Sequence, residues 1–265
     1  MFNKSHFINS CIFLFKLSLV LSLVCFNNTF SASFNLGTTY VGNFKGQDTG
    51  ENYSNLSTSM GVTSKFGDVT VSASSSVSRD LNDQYADVLF GDLRVNGSIG
   101  HRVLPKLEGS SSVFLVLPTS KNSRDFKNLN SSLGHTLSIP YKLNDSFGLN
   151  FTLTNIYHFY KYATDIFGRS NTRNQHAVGA SANYSVSEKL GLFGSLRSTK
   201  SFTHSNVGSD SYNLGIGLNT SIRKFNLTMG YEINDNLLMP NGIERNFQVF
   251  DLDKSYFYLN LGVRF

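Results

Sequence analysis

The sequence predicts an all-β protein, a transmembrane antiparallel up-and-down β-barrel of about twelve strands. Three observations carry this. Apolar and small polar residues alternate with period two, again and again, in stretches of about 10 to 15 residues; that is longer than the usual globular strand and suited to crossing a bilayer at a tilt. Short and long connections alternate between these stretches. Aromatic residues on the apolar face gather at both ends of the stretches, with aliphatic residues between, as two interfacial bands in lipid require.

Strands are expected at 34–43, 54–66, 68–78, 88–100, 107–118, 130–142, 147–161, 175–186, 189–202, 211–222, 225–236 and 255–265. In the stretch from 68, Val69, Val71, Ala73 and Val77 alternate with Thr70, Ser72, Ser74, Ser76 and Ser78. From 147, Leu149, Phe151, Leu153, Tyr157 and Phe159 face away from Asn150, Thr152 and Thr154. From 211, Leu214, Ile216 and Leu218 oppose Asn213, Gly215, Gly217, Asn219 and Ser221; from 225 the apolar set is Phe225, Leu227, Met229, Tyr231 and Ile233. The last stretch sets Phe257, Leu259, Leu261, Val263 and Phe265 against Tyr258, Asn260, Gly262 and Arg264. Tight connections fall at 65–68, 142–146, 186–189 and 223–224, with 101–106 of intermediate length. Long polar ones fall at 44–53, 79–87, 119–129, 162–174, 203–210 and 237–254. Phe34, Phe66, Tyr141, Phe147, Tyr184, Phe225 and Phe265 lie at the short-turn ends. Tyr40, Tyr157, Phe159, Phe202, Tyr212, Tyr231 and Phe257 lie toward the long-loop ends.

Composition agrees. Of 265 residues only 15% are charged, below the globular average, and Ser, Asn, Thr and Gly take the place of charge. The formal net charge of +5 is scattered with no polybasic block, so nucleic acid is not an expected partner. Residues 1–32 read as a cleaved signal peptide. Lys4 supplies the basic region, Cys11 to Cys25 an apolar core interrupted by Lys16, Ser18 and Ser22, and Thr29, Ser31 and Ser33 the small residues for cleavage. The core is too short and too interrupted for a spanning helix. Val24 before Cys25 is not the small residue that precedes a lipidated cysteine. Both cysteines lie in this segment, so the barrel domain, 33–265, is left without disulfide or thiol chemistry.

The alternation, the loop asymmetry and the aromatic bands together resemble a Gram-negative bacterial outer-membrane β-barrel of about twelve strands across 33–265. The likeness is most specific in the last strand, since such proteins typically end on Phe. It implies an outer-membrane location with periplasmic termini and extracellular long loops. It also implies contact with outer-membrane lipid and lipopolysaccharide, and with the barrel assembly machinery through the strand ending at Phe265. Gly91-Asp92-Leu93, followed by Leu117-Pro118-Thr119-Ser120, is similar to a pattern in barrels linked to aromatic-compound breakdown, with Ser120 where those often have Gly. No particular barrel family is identified.

Eight strands are just filled by side chains and sixteen leave an aqueous channel, so about twelve leave room for a narrow lumen. Inward parity places Arg94, Arg197, Arg264 and Glu232 in or near it, with Tyr256, Tyr258 and Asn260 on the last strand. Three arginines against one glutamate suggest a mild anion preference. The alternative is that these groups pair and brace a plugged interior. The expected function is a porin-like channel for small polar or weakly anionic solutes.

Two other readings stand beside it. In the first, His135 faces outward between Leu133 and Leu137, an expensive place for a polar ring. Ser111 and Asn155 share its parity on the flanking strands, a Ser–His–Asn set of the kind that activates a hydroxyl for acyl transfer to or from lipid. Outer-membrane phospholipases, however, carry their Ser two residues from the His on one strand, where this chain has Leu137. A protease-like arrangement would instead use His158 near the rim with Asp165 and His176, and it lacks the Asp pair such enzymes use. The second reading is a non-conducting surface barrel that meets a partner through 119–129 and 237–254. No nucleophile elbow, phosphate loop or His/Cys metal spacing is present, so neither cofactor nor metal is expected.

Overall fold

The structure, a computed structural model, describes residues 31–43, 53–83, 86–104, 107–236 and 254–265. Most of the expected signal peptide, and nearly all of the connections 44–53 and 237–254, lie outside the described residues. The strands are β1 (Ser31–Asn43), β2 (Ser54–Phe66), β3 (Val69–Asp80), β4 (Leu89–Phe90), β5 (Leu93–Leu104), β6 (Leu107–Leu117) and β7 (Leu129–Lys142). They continue as β8 (Phe147–Tyr160), β9 (Thr172–Ser185), β10 (Leu190–Thr203), β11 (Gly208–Ile222), β12 (Phe225–Asn236) and β13 (Ser255–Arg264), with one π-helical turn at Asn122–Phe126.

Each strand pairs antiparallel with its chain neighbours, and β13 returns to pair with β1 from Asn35↔Arg264 to Asn43↔Tyr256. Phe34 and Phe265 exchange both backbone hydrogen bonds, at 3.2 and 2.9 Å. The sheet therefore has no free edge, and closure of this kind is the only way a β-structure can cross lipid with its backbone satisfied. β4 and β5 both pair with β3 and are one strand broken at a bulge. Val77↔Phe90 and Ser74↔Arg94 bracket two β3 residues against Gly91, Asp92 and Leu93. Counted so, the barrel has twelve strands, as the alternation predicts.

The two faces separate sharply. Val113 is 53% exposed and its neighbour Phe114 only 2%; Ala177 is 4% exposed and Val178 62%. The apolar set is thus the outer wall, where only lipid would cover it, and the small polar set lines the interior. A soluble sandwich would have this the other way round.

Two tight hairpins each turn on a residue in the left-handed conformation. Gly67 (φ 58°) and Arg223 (φ 59°) supply the left-handed conformation of two-residue turns. One connection departs from expectation. The polar stretch 203–210, expected as a long loop, is a turn of residues 204–207, because β10 runs to Thr203 and β11 already starts at Gly208. Asn206 (φ 60°) makes that turn possible, and Thr203 N–H closes it onto the Val207 carbonyl at 3.0 Å. Polar residues hide a strand where it projects beyond the apolar belt.

The inner wall carries three rings, Phe114, Phe193 and Tyr258, each directly opposite a glycine: Gly134, Gly217 and Gly230. A Cβ at any of these glycines would come closer than 3.0 Å to the ring. The rings therefore lie over bare backbone and cover it. Gly134→Val should push Phe114 off the wall and cost about 1–3 kcal/mol, as overpacking does. Gly97→Ala, where nothing lies within 4 Å of the added carbon, should stay within about 0.5 kcal/mol. Urea midpoints in detergent or vesicles measure both; equal shifts for the two would contradict this packing.

Candidate functional site

The interior is built from residues that alternate with the lipid-facing set. Arg94 extends from β5 with its guanidinium 3.6 Å from the centre of the Phe114 ring, a cation–π contact that lifts the charge off the wall. Arg197 extends from β10 between Gly179 of β9 and Asn213 of β11. Their strands stand five apart in the ring, almost across from each other, and the two guanidiniums are near enough to repel. Both are exposed, and among the described residues neither has a carboxylate partner.

Glu232, on β12, is the acid of this region. It pairs in register with Gly215 and Tyr256, and its carboxylate accepts hydrogen bonds from Asn213 Nδ2 and the Tyr256 hydroxyl, with Tyr258 close by. Asn260 Nδ2 donates to Thr39 Oγ1 at 2.6 Å across the β1–β13 closure. Arg264 sits apart, donating to Ser33 Oγ at 3.2 Å at the short-turn end. The seven interior positions named from the sequence thus divide. Arg94 and Arg197 approach each other, Glu232, Tyr256 and Tyr258 form one node, and Asn260 and Arg264 brace the seam.

At the long-loop end the wall is clasped. Asp92 Oδ1 accepts the Ser120 N–H at 2.9 Å, and Oδ2 accepts the Ser123 hydroxyl at 2.5 Å. Thr119 Oγ1 donates to the Gly91 carbonyl at 2.9 Å, and Ser120 Oγ accepts the Ser123 N–H at 3.1 Å. The two short motifs around Gly91 and Leu117 are therefore the two halves of one joint. A side chain at Gly91 would displace the Ser76 hydroxyl and press on the Ser76 carbonyl. On the exposed side of the π-turn Arg124 pairs with Asp125 at 2.8 Å and holds that carboxyl below its ordinary range.

Asn171, only 6% exposed, ties three loops together. Its Nδ2 donates to the Lys127 and Tyr162 carbonyls at 3.1 and 3.2 Å, its N–H donates to Ala163, and its carbonyl accepts the His204 N–H.

Neither enzyme-like arrangement is assembled. Across β6 and β7 it is Val113 that faces His135, while Ser111 pairs with Leu137, one step along the same face. Asn155 does face His135, but its Oδ1 is taken by His176 Nδ1 at 2.7 Å. His158 points inward and bonds Ser132 Oγ at 2.7 Å, with Ser132 only 2% exposed and closed to a substrate. Asp165 bonds Arg169 at 2.8 Å within its own loop, and His176 lies on the outer wall, so the protease-like set is scattered.

Sequence reasoning passed over Phe114, Phe193 and Asn171. The two rings had a signal, being large apolar residues on the polar parity; Asn171 had none. It also missed that His135, Asn155, His176, Lys200 and Asp210 pair in succession across β7 to β11 as a polar line on the outer wall.

No family model matches the sequence, and no curated protein does. The fold, however, is similar to solved structures. An outer membrane channel from Pseudomonas putida F1 matches with TM-score 0.60 at 12% identity, over 88% of this chain and 95% of that one. The NanC porin matches with TM-score 0.55 at 10% identity, over 88% and 98%. These likenesses show the fold, an outer-membrane type of closed β-barrel.

Losing the Asp92 carboxylate removes two hydrogen bonds to a charged acceptor, worth about 1.5–3 kcal/mol each when intact. Asp92→Ala should raise tryptic cleavage after Lys121 or Arg124 by about tenfold or more while strand content is unchanged by circular dichroism. Cleavage at the wild-type rate would show that the clasp does not hold the segment.

Proposed function

We propose that this chain is an outer-membrane, porin-like channel that passes small polar or weakly anionic solutes through a narrow lumen. The observation that carries the reading is the pair Arg94 and Arg197, which project from nearly opposite walls with no carboxylate partner among the described residues. Cationic groups that project into a lumen lower the barrier for anions and raise it for cations. The small Ser, Thr, Asn and Gly on the inner face, and the rings laid over glycine, support an open path. The similarity to a channel and to a porin supports the same reading.

Within it, residues 1–32 are removed on export, the barrel assembly machinery takes the strand ending at Phe265, the termini and short turns face the periplasm, and the long loops face outside. Lipid and lipopolysaccharide surround the outer wall. A clasped mouth, held by Asp92 and Asn171, fits a channel whose selectivity is fixed by its wall.

Planar-bilayer recording tests this. The pure protein should give discrete conductance steps, and a potassium chloride gradient should give a reversal potential on the anion side. Arg94→Ala with Arg197→Ala should move the reversal potential toward cation preference. Absence of steps would refute the channel, and an unmoved reversal potential would refute the role of the arginines.

A further inference from the structure

Charges of both signs meet inside the barrel without neutralising each other. Arg197 stands on β10 and Glu232 on β12, with β11 between them and a two-residue offset in register, so their backbones are about 12 Å apart. Asn213, directly opposite Arg197, donates to Glu232 instead of leaving the acid for the guanidinium. The Tyr256 hydroxyl holds the carboxylate from the other side. Glu232 is half-buried and its carboxylate is therefore fixed but not sealed, while Arg197 and, across the lumen, Arg94 remain exposed. Gly215, between the two charged residues, leaves the wall low at that point; a side chain there would meet Ser195 Oγ and the Glu232 stem.

A fixed carboxylate two strands from one solvated guanidinium and across the lumen from another complements a solute that carries an ammonium and a carboxylate a few bonds apart. A simple anion would gain nothing from Glu232, and a simple cation would meet the arginines. We propose that this node is a zwitterion-binding constriction, selecting solutes of the amino-acid class, with Glu232 and the Tyr256 and Tyr258 hydroxyls taking the ammonium and Arg94 and Arg197 the carboxylate. This rests on the channel reading and sharpens its solute class.

Proteoliposome swelling with L-glutamine and with arabitol, a neutral solute of similar size, tests it, with potassium chloride conductance recorded on the same preparation. The ratio of glutamine to arabitol rates should be about tenfold above the ratio for bare diffusion, the gain of one charge-assisted contact pair. Glu232→Gln should bring that ratio down toward one. Conductance steps with glutamine no faster than arabitol in the wild type would overturn the zwitterion site and leave the channel standing. No conductance steps would overturn both. An unchanged ratio in a folded Glu232→Gln variant would also overturn the assignment.

Discussion

A peptide backbone in lipid has nothing outside itself to bond with, and that constraint governs the rest of this molecule. The β1–β13 seam meets it, with nine residue pairs from Asn35↔Arg264 to Asn43↔Tyr256 and the reciprocal bonds of Phe34 and Phe265. Once the sheet closes, every strand has one face in and one face out, and the period of two fixes which residues meet lipid. Val178 and Ile216 can then stand more than 60% exposed, because the surface they occupy is one that lipid covers.

Closure also creates the interior, and what fills it decides function. Phe114, Phe193 and Tyr258 would obstruct a lumen if they projected, but Gly134, Gly217 and Gly230 give each ring a floor to lie on. Arg94 uses the Phe114 ring as a shelf, so its charge is presented at a defined place. Asp92 and Asn171 then fix the rim by binding backbone groups of neighbouring segments. The acid at Glu232 is held by Asn213 and Tyr256, and among the described residues it forms no ion pair. Wall, rim and charge are each positioned by a local contact, and all depend on one register around the ring.

Most of the fold was legible in the sequence because alternation is a local property and register follows from it. The strand from 225 to 236 has the observed bounds, and β8 is displaced by a single residue at one end. Legibility failed where polarity and strand came apart, as at Thr203–Asp210, where β10 and β11 continue past the apolar belt. The site was legible in parity but not in partnership. The parity of Arg94, Arg197 and Glu232 can be read within their own strands, whereas the Asp92 clasp and the Asn213–Glu232 bond join residues on different elements. Ser111 and His135 miss each other by two residues, one step on the same face, since the register across β6 and β7 is set by the whole ladder and by no local signal at either residue. The Gly91–Asp92 bulge was visible as a motif, but its meaning needed Ser120 and Ser123 in place.

In the channel reading, one face of each strand meets lipid and the other meets water in an open lumen. The chain from Ser33 onward contains no cysteine, since Cys11 and Cys25 both precede it, so single cysteines along β8 can report on each face. Asn150→Cys and Thr152→Cys, on the inner face, should react with a charged water-borne maleimide in vesicles. Phe151→Cys and Leu153→Cys should not, and a fluorophore attached there before insertion should be quenched by lipid-borne nitroxide. Strict alternation is the expected result; equal reactivity at all four positions, or no reactivity at the inner two, would contradict a lipid-facing outer wall around an open lumen.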